Sequence, residues 1–402
     1  MSISTKARLM IMMFLEYFIW GAWYVTMGTY MGEHFKGDGI DKIIGYAYSA
    51  MALATIISPF FVGMIADRFF AAQRIMGFLH LGGAVLLYLT TTVTSSTVFP
   101  FVILLYALLY MPTIALSNSI AFGQMNDPGK QFPWIRVFGT LGWIVAGFVI
   151  GSLKIEKANT TFLIAAAISA VLGLFSFALP NTPPKGKAAE SSASGAIGAD
   201  AFVLFKNKSY LIFFIAAILV CIPLSFYYGF ANPFLNELNV NEPAKKMILG
   251  QASEAIFILA IPFLFTRIGV KNMLLLGMVA WILRYVCFAY GDAGSNLWML
   301  YGGIILHGIC YDFFFVTGYM YTEKKAGPKI KNAAQGLFTF ATYGVGMLIG
   351  TWISGIIVDL YKHTDGGHDW MRIWFVPAYI AVAVLIYFLL FFKEKKEIEQ
   401  AV

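Results

Sequence analysis

Residues 9–31 read "LMIMMFLEYFIWGAWYVTMGTYM", and the nature of this stretch decides the fold. It is long enough to cross about 30 Å of hydrocarbon as a helix, and it lacks the alternation of a half-buried strand. It is too long for a signal-peptide core and has no small-residue cleavage site, so it is expected to remain as a spanning helix. One acid interrupts it. Glu16, Trp20 and Trp23 fall at i, i+4 and i+7, which sets a carboxylate and two indoles on one helix face. Tryptophan often marks the membrane interface, but Trp20 lies near the middle of the run, where a cavity wall suits it better.

The same pattern recurs along the chain. Of 402 residues, 59% are hydrophobic and 12% charged, whereas a soluble domain is about one quarter charged. Apolar segments lie at about 9–31, 44–66, 72–93, 98–121, 134–153, 160–180, 209–232, 247–267, 271–290, 296–320, 333–358 and 371–392. In lipid the backbone can be satisfied only in helices or a closed barrel, and runs of this length without alternation select helices. The expected class is an all-α polytopic membrane protein with twelve spans. An even number of spans places both termini on one side, and most of the 28 Lys and Arg fall on that side, which makes it the cytoplasm. That bias also accounts for the net charge of +7 without a nucleic-acid partner. Cys221, Cys287 and Cys310 sit in apolar segments without metal-type spacing, so they read as small buried hydrophobes, and no metal or cofactor is expected.

The polar stretch "LPNTPPKGKAAESSASGAIGAD" (179–200) has the composition of a linker. It divides the chain into an N-terminal bundle (1–180), a cytoplasmic linker (181–208), a C-terminal bundle (209–392) and a short cytoplasmic tail (393–402). "GMIADRFFAAQRIMG" (63–77) after the second segment and "FLFTRIGVKNMLLLG" (263–277) after the eighth echo each other as basic turns. Any tight cytoplasmic loop attracts Lys and Arg, but repeats in matching places are also a mark of secondary transporters, whose site lies between the halves. The glycine runs "GTLGWIVAGFVIG" (139–151) and "YGVGMLIGTWISG" (343–355) lack the lysine and strand context of phosphate loops and read as close helix contacts.

An ionisable side chain at the centre of a spanning helix costs roughly 2.5–3.5 kcal/mol on insertion scales, so each one is a functional candidate. The candidates are Glu16, Arg136, Glu254, Arg284 and Asp312, with His80 and His307 as softer cases. In "FPWIRVFGTLGW" (132–143), Arg136, Thr140 and Trp143 share one face at i, i+4 and i+7; the plain alternative is a snorkelling arginine at the cytoplasmic mouth. In "LGQASEAIFILAIPF" (249–263), Gln251 and Glu254 lie one turn apart, suited either to polar solute groups or to a structural hydrogen bond between helices. In "LHGICYDFFFVTGYMY" (306–321), Asp312 is surrounded by Tyr311, Phe313, Phe314 and Phe315, an apolar setting that favours a neutral carboxyl and proton exchange. A static pair with Arg284 of "AWILRYVCFAYGD" (280–292) is the alternative for Asp312. An enzyme would need a catalytic cluster outside the lipid. The nearest approach is "YKHTDGGHDW" (361–370), with His363, Asp365, His368 and Asp369, which reads as a solvated outer loop with weak metal binding as its alternative.

With these residues in place, the chain resembles the nucleoside:proton symporter family of the major facilitator superfamily, along nearly its whole length. The resemblance is carried by "WGAWYVTMGTYM" (20–31), "FPWIRVFGTLG" (132–142), "DAFVLFKNK" (200–208), "ILAIPFLFTRIGVKNM" (258–273), "AWILRYVCFAYGD", "YDFFFVTG" (311–318) and "AAQGLF" (333–338). It implies two pseudo-symmetric six-helix bundles, a monomer in the bacterial inner membrane, and a central nucleoside cavity coupled to protons. Carried over by position, Arg136, Thr140 and the aromatic at 143, Gln251 with Glu254, and Tyr311 with Asp312 match the family's site residues. There are departures. Ser225 and Tyr228 stand where characterised permeases carry amides, Trp143 replaces Phe, and Glu16 stands where an amide is expected. The expectation is a proton-coupled nucleoside importer working by rocker-switch alternating access. Trp20, Trp143, Ser225, Tyr228, Tyr311 and Phe315 would shape the pocket with Glu16, and Asp312 or Glu254 would carry the proton, Asp312 being favoured. The alternative is a transporter of the same fold for a sugar, glycoside or other purine derivative.

Overall fold

A computed structural model describes residues 2–61, 70–183, 199–364 and 366–393. The last five residues of the 44–66 segment, the start of the first basic turn with Arg68, most of the predicted linker, Asp365 and nearly all of the tail lie outside the described residues.

The chain is helical almost throughout. In order, the helices are α1 (Ile3–Trp23), α2 (Met27–His34), α3 (Ile40–Phe61), α4 (Ala72–Thr90), α5 (Phe99–Gly123), α6 (Pro128–Leu153) and α7 (Thr160–Ser176). After a 3₁₀ turn (Ala199–Lys206) come α8 (Lys208–Glu237), α9 (Pro243–Tyr290), α10 (Leu297–Tyr311), α11 (Thr317–Thr339), α12 (Met347–Leu360) and α13 (Trp370–Phe391). π-Helical turns at Asp312–Val316 and Phe340–Gly346 join α10 to α11 and α11 to α12.

The helix starts follow local chemistry. Ser2, Asp127, Asn207 and Asp369 each cap a helix by accepting a backbone N–H three residues on. The Asp127 cap and Pro128 in the first turn start α6 several residues before the predicted 134. Arg136 therefore sits in the third turn of a helix rather than at its entrance. The basic turn at 267–271 divides the long helical stretch α9 in two at Gly269, whose φ of 74° is a left-handed conformation that glycine accommodates. Gly327 breaks α11 in the same way at φ 65°.

Among the described residues, ten helical stretches are long and apolar enough to cross a membrane. Of the two predicted spans missing from that set, one is α7, with 17 residues, and the other is the first part of α9, which ends at the Gly269 break.

Helices α1 and α3–α7 pack on one another, with α6 and α7 against α1, and α5 and α7 against α4. Helices α8–α13 do the same, with α10 and α13 against α9, and α12 and α13 against α8. The two groups meet where α3 crosses α12, α6 crosses α9, and α2 touches α8. The glycine runs lie at such crossings. A Cβ on Gly45 would fall 2.5 Å from the Thr351 carbonyl oxygen, so α3 and α12 touch backbone to backbone there.

Candidate substrate cavity between the helix groups

A cavity of about 600 Å³ lies between the two groups. Its first wall is an aromatic stripe on α1, where Tyr17, Trp20 and Tyr24 follow the helix period. Trp20 meets Trp143 of α6 edge to face, with ring centroids 5.4 Å apart. The Arg136 guanidinium lies 4.0 Å above the Tyr17 ring, and Thr140 lines the wall one turn further on. From the second group come Tyr228, Gln251, Glu254, Tyr311 and Tyr343. The hydroxyls of Tyr311 and Tyr343 hydrogen-bond to each other. Arg136 and Glu254 thus supply opposite charges from opposite groups and are close enough to interact electrostatically. Trp20 Nε1 and Asn118 Oδ1, both on lining residues, have no hydrogen-bond partner among the described residues. Such a wall can stack a flat ring and hydrogen-bond its edge.

Eight of the twelve residues singled out by sequence line this cavity: Trp20, Arg136, Thr140, Trp143, Tyr228, Gln251, Glu254 and Tyr311. The other four do not. Glu16 is turned into the first helix group, where it accepts hydrogen bonds from Thr113 at 2.6 Å and His80 Nε2 at 2.9 Å. Ser225 is fully buried and donates to the Ile222 carbonyl within its own helix. Phe315 is buried behind Tyr311. Asp312 is fully buried off the cavity, and neither carboxylate oxygen has a hydrogen-bond partner among the described residues. The alternative Asp312–Arg284 pair is not formed, because Arg284 bonds His307 Nδ1 at 2.8 Å instead. Tyr17, Tyr48, Thr55, Asn118, Tyr319 and Tyr343 line the cavity without having been singled out. Only Tyr17 carried a signal, at i−3 from Trp20 on the aromatic stripe.

At the end of the bundle opposite the termini, the groups are pinned together. Glu156, in the turn after α6, is 4% exposed. It accepts from Asn232 Nδ2 at 2.8 Å, Asn236 Nδ2 at 3.0 Å and the Ala244 backbone N–H at 2.9 Å. Thr29 donates to Asn232 Oδ1 at 2.6 Å, and Lys42 pairs with Asp359 at 2.7 Å. His368 spans the groups, with Nδ1 2.7 Å from Glu237 of α8 and Nε2 3.3 Å from Asp41 of α3. Among the described residues no group of acidic, His and Cys side chains is arranged to hold a metal ion. His368 is instead part of a charged bridge.

Burial disfavours charge on His368, but the hydrogen bonds and charges of Asp41 and Glu237 outweigh it, and the pKa is raised from 6.5 to about 9. A raised pKa stabilises the bridged state fully below pH 6.5, and that contribution is lost as pH rises through about 9. The distance between spin labels on Asp38→Cys and Asn241→Cys, exposed positions on the two groups at this end, is therefore expected to lengthen across that window. The lengthening should vanish in His368→Ala; an equal pH response with and without His368 would remove the bridge from the closure.

A helical membrane bundle whose two helix groups enclose a polar-and-aromatic cavity, pinned at one end, is the architecture of a secondary transporter of the major facilitator fold. The chain belongs to the nucleoside H⁺ symporter family, whose model matches residues 3–397. It is 38% identical to the xanthosine permease of Escherichia coli (strain K12), over 99% of this chain and 98% of that protein. It is 36% identical to the nucleoside permease NupG of the same organism, over 98% of this chain and 97% of that protein. A crystal structure of the nucleoside transporter NupG superposes with a TM-score of 0.89 at 35% identity, covering 98% of this chain and all of that one.

Proposed function

We propose that this protein imports nucleosides together with protons across a bacterial cytoplasmic membrane, as a monomer with both termini in the cytoplasm. Helices α1–α7 and α8–α13 act as two bodies that rock about the cavity. The state described here is closed at the outer end and lined down to Ser58, Asn118 and Gly336 toward the cytoplasm. The observation that carries the reading is the pairing of walls: Trp20, Trp143 and Tyr228 for a base, and Arg136, Gln251 and Glu254 for its edge or the sugar, drawn from both groups. A ligand touching both walls favours closure around itself, which alternating access requires.

The test is uptake of radiolabelled uridine, adenosine and xanthosine by cells lacking their own permeases, with and without a protonophore. Protonophore-sensitive uptake of at least one nucleoside is expected. Uptake of a glycoside alone would move the substrate class and leave the architecture standing. Arg136→Ala should lower uptake by about ten- to a hundredfold, the equivalent of one charge-assisted hydrogen bond, at unchanged membrane abundance. Normal uptake by that variant would return Arg136 to a topology signal.

A further inference from the structure

Two histidines lie buried against acids in this bundle, and they are wired differently. In the first helix group the network is closed: His80 Nε2 meets Glu16 at 2.9 Å and His80 Nδ1 lies 3.3 Å from Ser169 Oγ. In the second group it is open-ended. Arg284 Nη1 lies 2.8 Å from His307 Nδ1, and both residues are fully buried. His307 Nε2 has no hydrogen-bond partner among the described residues and stands 3.9 Å from Glu254 Oε2.

A guanidinium carries only donors. His307 Nδ1 must therefore accept, and the ring proton resides on Nε2, facing Glu254. A doubly protonated ring would set N–H against N–H beside a permanent cation, so His307 is neutral. The assembly is held rigidly. The Arg284 guanidinium lies 3.5 Å above the Tyr227 ring, which stacks on His307 with centroids 5.0 Å apart. Tyr228 meets the imidazole edge-on from α8, and Tyr311 packs beside it from α10. Gly308 brings α10 against the Glu254 turn: a Cβ there would lie 2.6 Å from the Glu254 backbone nitrogen. The Glu254 side chain is 27% exposed, toward the cavity it lines. It has His307 behind it and a ligand's place in front.

We infer that His307 is a positioning residue: fixed by Arg284 as a neutral Nε2–H donor, it sets the orientation of the Glu254 carboxylate in the cavity. His307 Nε2 and Glu254 Oε2 stand 3.9 Å apart, so a small rotation of Glu254 is enough to make or release this hydrogen bond. This rests on the reading above, in which Glu254 contacts the substrate. The imidazole carries no proton in transit.

Glutamine at this position can copy the wiring, accepting from Arg284 through its oxygen and donating to Glu254 through its amide, without titrating. His307→Gln is expected to keep nucleoside uptake within about twofold of wild type with the same pH profile. His307→Leu should lose at least about tenfold, chiefly through KM, because Arg284 and Glu254 lose their shared partner. In a Glu254→Ala background, which removes the acceptor, the part of the His307→Leu loss that runs through Glu254 should disappear. Equal loss in the Gln and Leu variants, or no loss in the Leu variant, overturns the proposal. A second measurement needs no substrate. Among the five histidines, ¹⁵N spectra of histidine-labelled protein in lipid should show one fixed Nε2–H tautomer that is absent from His307→Gln. A protonated or Nδ1–H ring at 307 overturns the assignment. Failure of wild type to move any nucleoside would count against the substrate reading alone, because the spectrum would still decide the tautomer.

Discussion

Asp312→Asn is expected to abolish uphill nucleoside accumulation while leaving exchange intact. Asp312 is fully buried, neither of its oxygens has a hydrogen-bond partner among the described residues, and Phe313, Phe314 and Phe315 follow it in a buried π-helical turn. An ionised carboxylate left unpaired in such a place costs several kcal/mol even after relaxation, so in this conformation the group is protonated. Glu254 is near enough to interact with it electrostatically, and Arg284 is engaged with His307. For the proton to leave, the surroundings of Asp312 must change, and the π-turn it opens is the kind of helix irregularity that permits such a change. Asparagine has nearly the same shape as a protonated aspartate and cannot lose its proton. The variant is therefore fixed in the proton-loaded condition, able to exchange substrate but unable to reset empty. In proteoliposomes with an inward proton gradient, accumulation should fall to about the equilibrium level, whereas counterflow of labelled against unlabelled nucleoside should stay within about threefold of wild type. Gradient-driven accumulation by Asp312→Asn would exclude this carboxyl as the coupling site and move the role to Glu254.

The contrast between Arg136 and Glu16 shows what was legible in the sequence. The helix period projects Arg136, Thr140 and Trp143 onto one face, and all three line the cavity. The same reasoning grouped Glu16 with Trp20, yet only Trp20 reaches the cavity. Spacing within one helix states which residues point together and not which neighbour they meet. Glu16 meets His80 and Thr113, 64 and 97 residues away, and neither of those distant helices signals that pairing in its local pattern. Arg284 was open to the same ambiguity, with Asp312 and His307 both within reach in sequence, and the packing selects His307. The fold was legible because lipid allows so few backbone solutions. The closure at the end opposite the termini was not, because Glu156, Asp41 and His368 lie in or beside polar turns where charged residues need no special explanation.

That closure gives the second large effect. Glu156→Ala is expected to shift the transporter toward a state open at the end opposite the termini. The carboxylate collects three donors from the second helix group, two of them asparagine amides and one the Ala244 N–H in the first turn of α9. The Ala244 N–H is one of the orphan donors of a helix start, and an acid there is favoured by the helix dipole as well. With alanine at 156 the Asn232 amide and the Ala244 N–H stay buried in the closed state and each costs roughly 1–3 kcal/mol, whereas Asn236 keeps its bonds to Asn232. In the open state water satisfies them, so the penalty falls on one side of the equilibrium only. About 1.4 kcal/mol is a tenfold change in population, and a shift of at least about tenfold is therefore expected. Glu156→Gln, which retains an acceptor oxygen, should shift less. Spin labels on Asp38→Cys and Asn241→Cys, exposed positions on the two groups at that end, would report this as a longer distance that grows from wild type through Gln to Ala. A saturating nucleoside should shorten it again only if the substrate prefers the closed state. An unchanged distance distribution in Glu156→Ala would mean that the Lys42–Asp359 pair, the His368 bridge and the Gly45 crossing hold this end shut without Glu156.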